Sequence, residues 1–135
     1  MLIPESEFNN QKLLEVYRAA YLTAEMDDEG RVDVDVDGMK LLTDVDTGRG
    51  LFLVMRFNGV KDGGPRGELL EYCNAVNAKL NMIRCWLTTS SEFVVFDHAT
   101  DIKGGITGEE IIDVSRRICD RVKSAWGMDE SNLLK

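Results

Sequence analysis

Three aspartates separated by single residues end on a glycine in Asp33-x-Asp35-x-Asp37-Gly38. The pattern copies the opening of an EF-hand calcium loop, which needs oxygen ligands at fixed positions, an apolar eighth residue and a bidentate Glu at the twelfth. Counted from Asp33, the eighth position is Lys40, the ninth is Leu41 and the twelfth is Asp44, one methylene short. Val32, Val34 and Val36 interleave with the aspartates, so the segment alternates as a strand does. On a strand, Asp33 and Asp35 spread along one side and do not converge on an ion. The segment therefore reads as a hairpin with an acidic face. A small-ligand or divalent-metal sensor built on Asp33–Asp37 is the alternative reading of the chain.

Other residues with chemical potential are scattered. His98 is the single histidine and adjoins Asp97. Neighbours on a strand point to opposite faces, which places the two badly for acid–base work. No serine lies in a nucleophile-elbow pattern, and no spacing pairs a cysteine with His98. Asp62-Gly63-Gly64-Pro65-Arg66-Gly67 precedes a helical segment but lacks the lysine and Ser/Thr of a P-loop and the spacing of a dinucleotide fingerprint. It reads as a connection, and Gly104-Gly105 reads as a turn. The residues imply no catalytic group, metal site or cofactor, and so a non-enzymatic protein.

The elements that must carry these residues follow from periodicity. Asn9 or Asn10 can cap a first helix reaching about Glu25, with Leu13, Leu14, Tyr17, Ala20, Tyr21 and Ala24 on one face. Strand one runs from Arg31 to Val36, Asp37-Gly38 makes a tight hairpin, and strand two runs from Met39 to about Val45. Strand three, Leu51 to Phe57, completes a meander. A second helix from Arg66 to Leu80 would bury Leu69, Leu70, Cys73, Val76 and Leu80. Strands four (Met82 to Leu87) and five (Glu92 to His98) follow. Thr107 and Glu110 have capping-box spacing at the start of a third helix, which reaches about Trp126 with Ile111, Ile118, Cys119, Val122 and Trp126 inward. Ser131 to Lys135 reads as a frayed tail. The order is α-β-β-β-α-β-β-α, which predicts an α+β fold with an antiparallel five-stranded sheet and helices on one face.

Length and composition agree with one globular domain over residues 1–135. The formal charge of −8 argues against nucleic-acid and anionic-membrane partners, and favours basic or hydrophobic ones. No run of ~18 apolar residues predicts a membrane span, and the N-terminus shows no basic region followed by an apolar run. Cys73, Cys85 and Cys119 are odd in number and form no Cys-x-x-Cys pair, so they read as reduced small hydrophobes of a cytoplasmic protein.

Strand one is apolar on one side, whereas Leu51–Met55 and Phe93–Phe96 are apolar on consecutive residues. Both faces of those later strands want cover, and the helices suffice for one. Taking Leu51, Leu53, Met55 and Phe57 as helix-facing leaves Phe52, Val54 and Arg56 outward. Taking Ile83, Cys85 and Leu87 as inward leaves Met82, Arg84 and Trp86 outward. Strand five has no settled phase, and Phe96 joins the outward set in one of its two phases. Phe52, Val54, Trp86 and Phe96 are thus the expected partner contacts, with Arg56 and Arg84 at the rim. Covering ~400 Å² of such surface is worth on the order of 10 kcal/mol before association costs of similar size.

Leu70-x-x-x-Asn74-x-x-Asn77, two strands, and Gly104-Gly105-Ile106-Thr107 opening a long last helix resemble the YbjN family, named for bacterial sensory transduction regulators. The resemblance implies the fold of type III secretion chaperones: small, acidic, dimeric cytoplasmic proteins that bind extended segments of effectors. It implies a homodimer that holds a client or regulatory protein, and it carries over no catalytic residues. Asn74 and Asn77 stand three apart on the second helix, where their amides can bond nearby backbone and fix the helix against the sheet.

Overall fold

A computed structural model describes residues Met1–Lys135. Along the chain it places β1 (Leu2–Ile3), a 3-10 turn (Glu5–Glu7), α1 (Asn10–Ala19), β2 (Ala24–Met26), β3 (Val32–Val36), β4 (Met39–Asp46) and β5 (Leu51–Gly59). Then come α2 (Arg66–Lys79), β6 (Arg84–Leu87), β7 (Phe93–Asp101), β8 (Ile106–Thr107) and α3 (Gly108–Gly127). The class is the expected α+β with an antiparallel sheet, but the sheet has six strands in the order β2-β3-β4-β5-β7-β6. A separate two-stranded pair joins β1 to β8.

The extra strand comes from the segment read as the end of the first helix. Asn9 caps α1 by accepting the Lys12 N–H at 2.9 Å, as its side chain permits. The helix stops at Ala19 because Tyr21 turns the chain into the left-handed region at φ 63°, leaving its ring exposed. Ala24–Met26 then pair with Val34–Val32 as β2. Ala24 is buried as the apolar stripe implied, but as a strand residue.

The remaining boundaries lie near those the periodicity predicts. Asp37 and Gly38 both take positive φ, 49° and 83°, the backbone a two-residue type I′ hairpin requires. The capping box forms as its spacing predicts: Thr107 Oγ1 accepts the Glu110 N–H at 3.0 Å, and the Thr107 N–H donates back to the Glu110 carboxylate. Gly105 sits at φ 101° with the Ile3 carbonyl so close that a Cβ would come within 2.6 Å of it. A side chain there would push β1 off β8.

The tail is docked, contrary to the expectation of fraying. Leu133 and Leu134 are buried, and their N–H groups donate to the Asp129 carboxylate. Lys61 N–H donates to the Leu133 carbonyl, and Lys135 N–H donates to the Gly59 carbonyl. The two leucines bury their side chains beside these bonds.

One cluster of 31 buried residues forms the core between the helices and one face of the sheet. β3 contributes Val32, Val34 and Val36, β4 contributes Met39, Leu41 and Val45, and the helices contribute Leu13, Tyr17, Leu69, Ile111, Ile118 and Val122. Leu70 points away from it, and Tyr72 takes the inward place instead, its hydroxyl donating to the Ala125 carbonyl. All three cysteines are free and buried. Burial pushes the Cys119 thiol above its usual range.

Candidate functional site

The opposite face of the sheet carries the candidate site. Its outward residues alternate with the core set along every strand: Asp33 and Asp35 on β3, Lys40, Leu42, Asp44 and Asp46 on β4, and Leu51, Leu53, Met55 and Phe57 on β5. On β7 they are Phe93, Val95, Asp97 and Ala99, and on β6 Arg84 and Trp86. No helix lies across them: none of the outward apolar residues packs against the core cluster. Cover is therefore one-sided, as the strand pattern implied.

Which residues occupy the open face differs from the sequence expectation. Phe52 and Val54 are 0% exposed and belong to the core, and so does Phe96. The phase of β5 is the reverse of the one read from its sequence, so Leu51, Leu53, Met55 and Phe57 face outward. Arg56, expected on the outer side, instead points with Asn58 at the end of α3. The Arg56 guanidinium lies 5.4 Å from the Trp126 ring centroid and donates to the Lys40 carbonyl at 2.9 Å. Asn58 Oδ1 accepts the Trp126 indole N–H at 2.9 Å. Burial there holds the Arg56 pKa below its ordinary value. Of the six expected contacts, Arg84 and Trp86 stand on the open face.

A signal for the correct phase was present in the hairpin register. Val45 faces Phe52 and Thr43 faces Val54, whereas Asp44 faces Leu53 and Asp46 faces Leu51. Residues opposite each other share a face, so the aspartates of β4 draw the alternate leucines of β5 outward with them.

The face has three zones. Along β5 every outward side chain is apolar, and the cross-strand neighbours Phe57 and Trp86 flank Val95 so closely that it is 0% exposed without touching the helical core. Phe57 and Phe93 meet edge-on at 6.1 Å. Toward β3 and β4 lie Asp33, Asp35, Asp44 and Asp46, with Lys40 among them. Asp46 is paired to Arg49 at 2.6 Å, and hydrogen bonds from Arg49 draw its carboxyl below the usual range. Toward β6, Arg84 binds Asp97 through two nitrogens at 2.9 and 2.8 Å, and the Trp86 indole N–H donates to the same carboxylate at 2.9 Å. Those hydrogen bonds hold the Arg84 pKa above its ordinary value. A shallow depression of about 750 Å³ runs between Leu51, Leu53 and Met55 and the Arg84–Asp97–Trp86 group. This arrangement can bury apolar side chains and fix their register with a few polar anchors. It assembles no nucleophile with a base.

The other sequence candidates are placed as follows. Asp33 and Asp35 stand on successive outward positions of β3, opposite Leu42 and Lys40, and no three His, Cys, Asp or Glu residues group closely enough to hold a metal ion. The Asp37 carbonyl accepts from Lys123 Nζ at 3.0 Å. His98 turns away from Asp97 and donates through Nδ1 to the Met82 carbonyl at 2.6 Å. Asn77 bonds strand backbone, as its place on the helix suggested: Nδ2 donates to the Cys85 carbonyl at 2.9 Å and Oδ1 accepts the Cys85 N–H at 2.8 Å. Asn74 is exposed. No helix is long and apolar enough to cross a membrane.

Helices on one side of an antiparallel sheet define a mixed α+β class in which the second face stays open. Within that class the chain belongs to the YbjN family, whose model, described as "Putative bacterial sensory transduction regulator", matches residues 10–124. The crystal structure of YbjN from E. coli, described as a putative transcription regulator, is similar with a TM-score of 0.77 at 12% identity, covering 95% of this chain and 96% of that one. A protein in the structure of the HopA1–SchA chaperone–effector complex is similar with a TM-score of 0.56 at 16% identity, over 90% of this chain and 94% of that one. An uncharacterized protein from Methanothermobacter thermautotrophicus gives 0.64 at 11% identity, over 91% and 99%. No curated protein matches the chain in sequence. At these identities the likeness is one of fold.

Proposed function

We propose that this protein is a non-enzymatic, regulator- or chaperone-like module that takes a partner polypeptide on the open face of its sheet and works as a homodimer in the cytoplasm. The observation that carries the reading is the uncovered apolar band of Leu51, Leu53, Met55, Phe57, Trp86 and Phe93, opposite the face that packs against the helices and holds the core. A large contiguous apolar surface is what a protein-docking site presents. The family description and the shared fold with a protein seen in a chaperone–effector complex support it. Charge defines the partner further. With Asp33, Asp35, Asp44 and Asp46 against Lys40 along one flank, the complementary segment carries apolar side chains over β5 and basic ones over β3 and β4.

The test places a charge in the middle of the band. Met55→Glu leaves the core untouched, so the variant folds, and quantitative mass spectrometry compares what wild type and variant retain from the native cell. A polypeptide held by wild type, lost at least about tenfold with Met55→Glu and then shown by calorimetry to bind the purified protein supports the face. A partner retained equally by both proteins rejects it. Light scattering decides the dimer separately: twice the 15.2 kDa chain mass is expected, and a monomer at working concentration rejects that part.

A further inference from the structure

We infer that side chains carried on the helices close both edges of the sheet to strand addition, Asn77 chief among them, so that a partner polypeptide is taken on the face and not as a seventh strand. The second clause rests on the function proposed above. The closure of the edges stands without it.

An edge strand presents unpaired N–H and C=O groups that template another strand. On β6, the N–H and C=O of Cys85 both reach Asn77, which comes from the side away from β7. These are groups an added strand would use, at the centre of β6. A side-chain amide has one donor end and one acceptor end, and here it stands where a neighbouring peptide group would stand. The backbone cannot shed it easily, because Leu69, Cys73 and Val76 anchor α2 in the core. Asn77 itself is exposed, so its position is set by this pair of bonds and not by burial.

The other edge repeats the device. Asp35 N–H donates to the Thr23 carbonyl across the β2–β3 ladder, which directs the polar groups of Ala24 away from β3. Arg18 of α1 covers that side, its Nε–H donating to the Ala24 carbonyl at 3.1 Å. Where β4 extends past the start of β3, the Val45 N–H finds Asn10 Oδ1 at 2.8 Å, while Asn10 Nδ2 donates to Asp44 and to the Gly30 carbonyl. Three helix side chains thus stand in for missing strands at three places.

The test combines amide exchange by NMR with light scattering on the full chain. In the wild type, the Cys85 N–H should exchange as slowly as the ladder amides of β7. In Asn77→Ala it should exchange at least about tenfold faster, and the variant should form larger assemblies than wild type at equal concentration. Adding Leu87→Pro, at a residue whose N–H faces the same edge, should return the double variant to wild-type size. A folded Asn77→Ala with unchanged size and unchanged Cys85 exchange overturns the inference. Should that variant fail to fold, fast Cys85 exchange in the wild type overturns it equally, and Asn77→Asp, which keeps the acceptor and loses the donor, should show intermediate exchange. Met55→Glu should leave Cys85 exchange unchanged, so the edge and the face are judged apart. If Asn77→Ala gains affinity for a partner identified through the face, the edge is a docking site and the second clause falls.

Discussion

Phe52 and Phe57 are five residues apart on β5, equal in size and chemistry, yet the first is 0% exposed and the second 40%. Val54 and Met55 make the same contrast between adjacent positions. One set belongs to the core, with Phe52 against Phe8, and the other faces solvent in a row with Val95 and Trp86. The two faces of one strand therefore carry apolar side chains for different ends. The inner set gains its free energy when the chain folds, and the outer set leaves its apolar area in solvent, where the contact proposed above would cover it.

Mutations should separate the two faces, and the largest effect belongs to the inner one. Phe52→Ala should destabilise the fold by about 3–5 kcal/mol through lost transfer energy and the cavity left behind. Met55→Ala, on the outer face of the same strand, should cost less than about 1.5 kcal/mol. Urea denaturation of both variants measures the difference, and equal losses would erase the contrast between the faces.

A second effect on the inner side is pH-dependent. Burial pushes the Tyr17 phenol up to about 12, against weaker opposing hydrogen bonds from Ser115 and Thr43. The unfolded chain ionises near pH 10, before the folded one does. The contribution is therefore fully present below pH 10 and is lost as the pH rises through about 12, by on the order of 3 kcal/mol. Thermal melts of wild type and Tyr17→Phe across that window should diverge, with the variant showing the shallower alkaline loss.

Loosening the cover should come next. Thr107→Ala removes one half of the capping box at the start of α3 and should lower stability by about 0.5–2 kcal/mol, read as a shift in the urea midpoint. The smallest effect is expected outside. Asp97→Asn breaks the ion pair to Arg84, whose side chain is 73% exposed against 14% for Asp97; because the amide oxygen can still accept from Trp86, stability should change by only ~1 kcal/mol. A large loss on breaking this pair would mean that the outer face contributes to folding after all.

Legibility in the sequence followed the same division. Alternating Val and Asp announced the phase of β3, because one face had to be wet, and Asp37-Gly38 and Thr107–Glu110 announced the ends of elements through local chemistry. β5 and β7 offered no such alternation. Their phase came from cross-strand register, and the outward placing of Arg56 failed because Trp126, far along the chain at the end of α3, supplies its partner. The first helix is shorter than its apolar spacing predicts for a similar reason: Ala20, Tyr21 and Ala24 keep helical spacing, but the pairing of Ala24–Met26 with β3 takes that segment into the sheet. The docked tail depended on Asp129 and on the backbone around Gly59–Lys61, which no local pattern reveals.

From the sequence by itself came the class of fold, the antiparallel order of its elements and the one-sided supply of helices. Each of these rests on short-range periodicity and turn chemistry, which act between residues close along the chain. Tertiary structure alone decided which apolar residues face outward, and that helix side chains rather than further strands finish the sheet at its edges. Those outcomes depend on groups brought together from distant parts of the chain, and a strand that is apolar on both sides leaves its orientation to its neighbours.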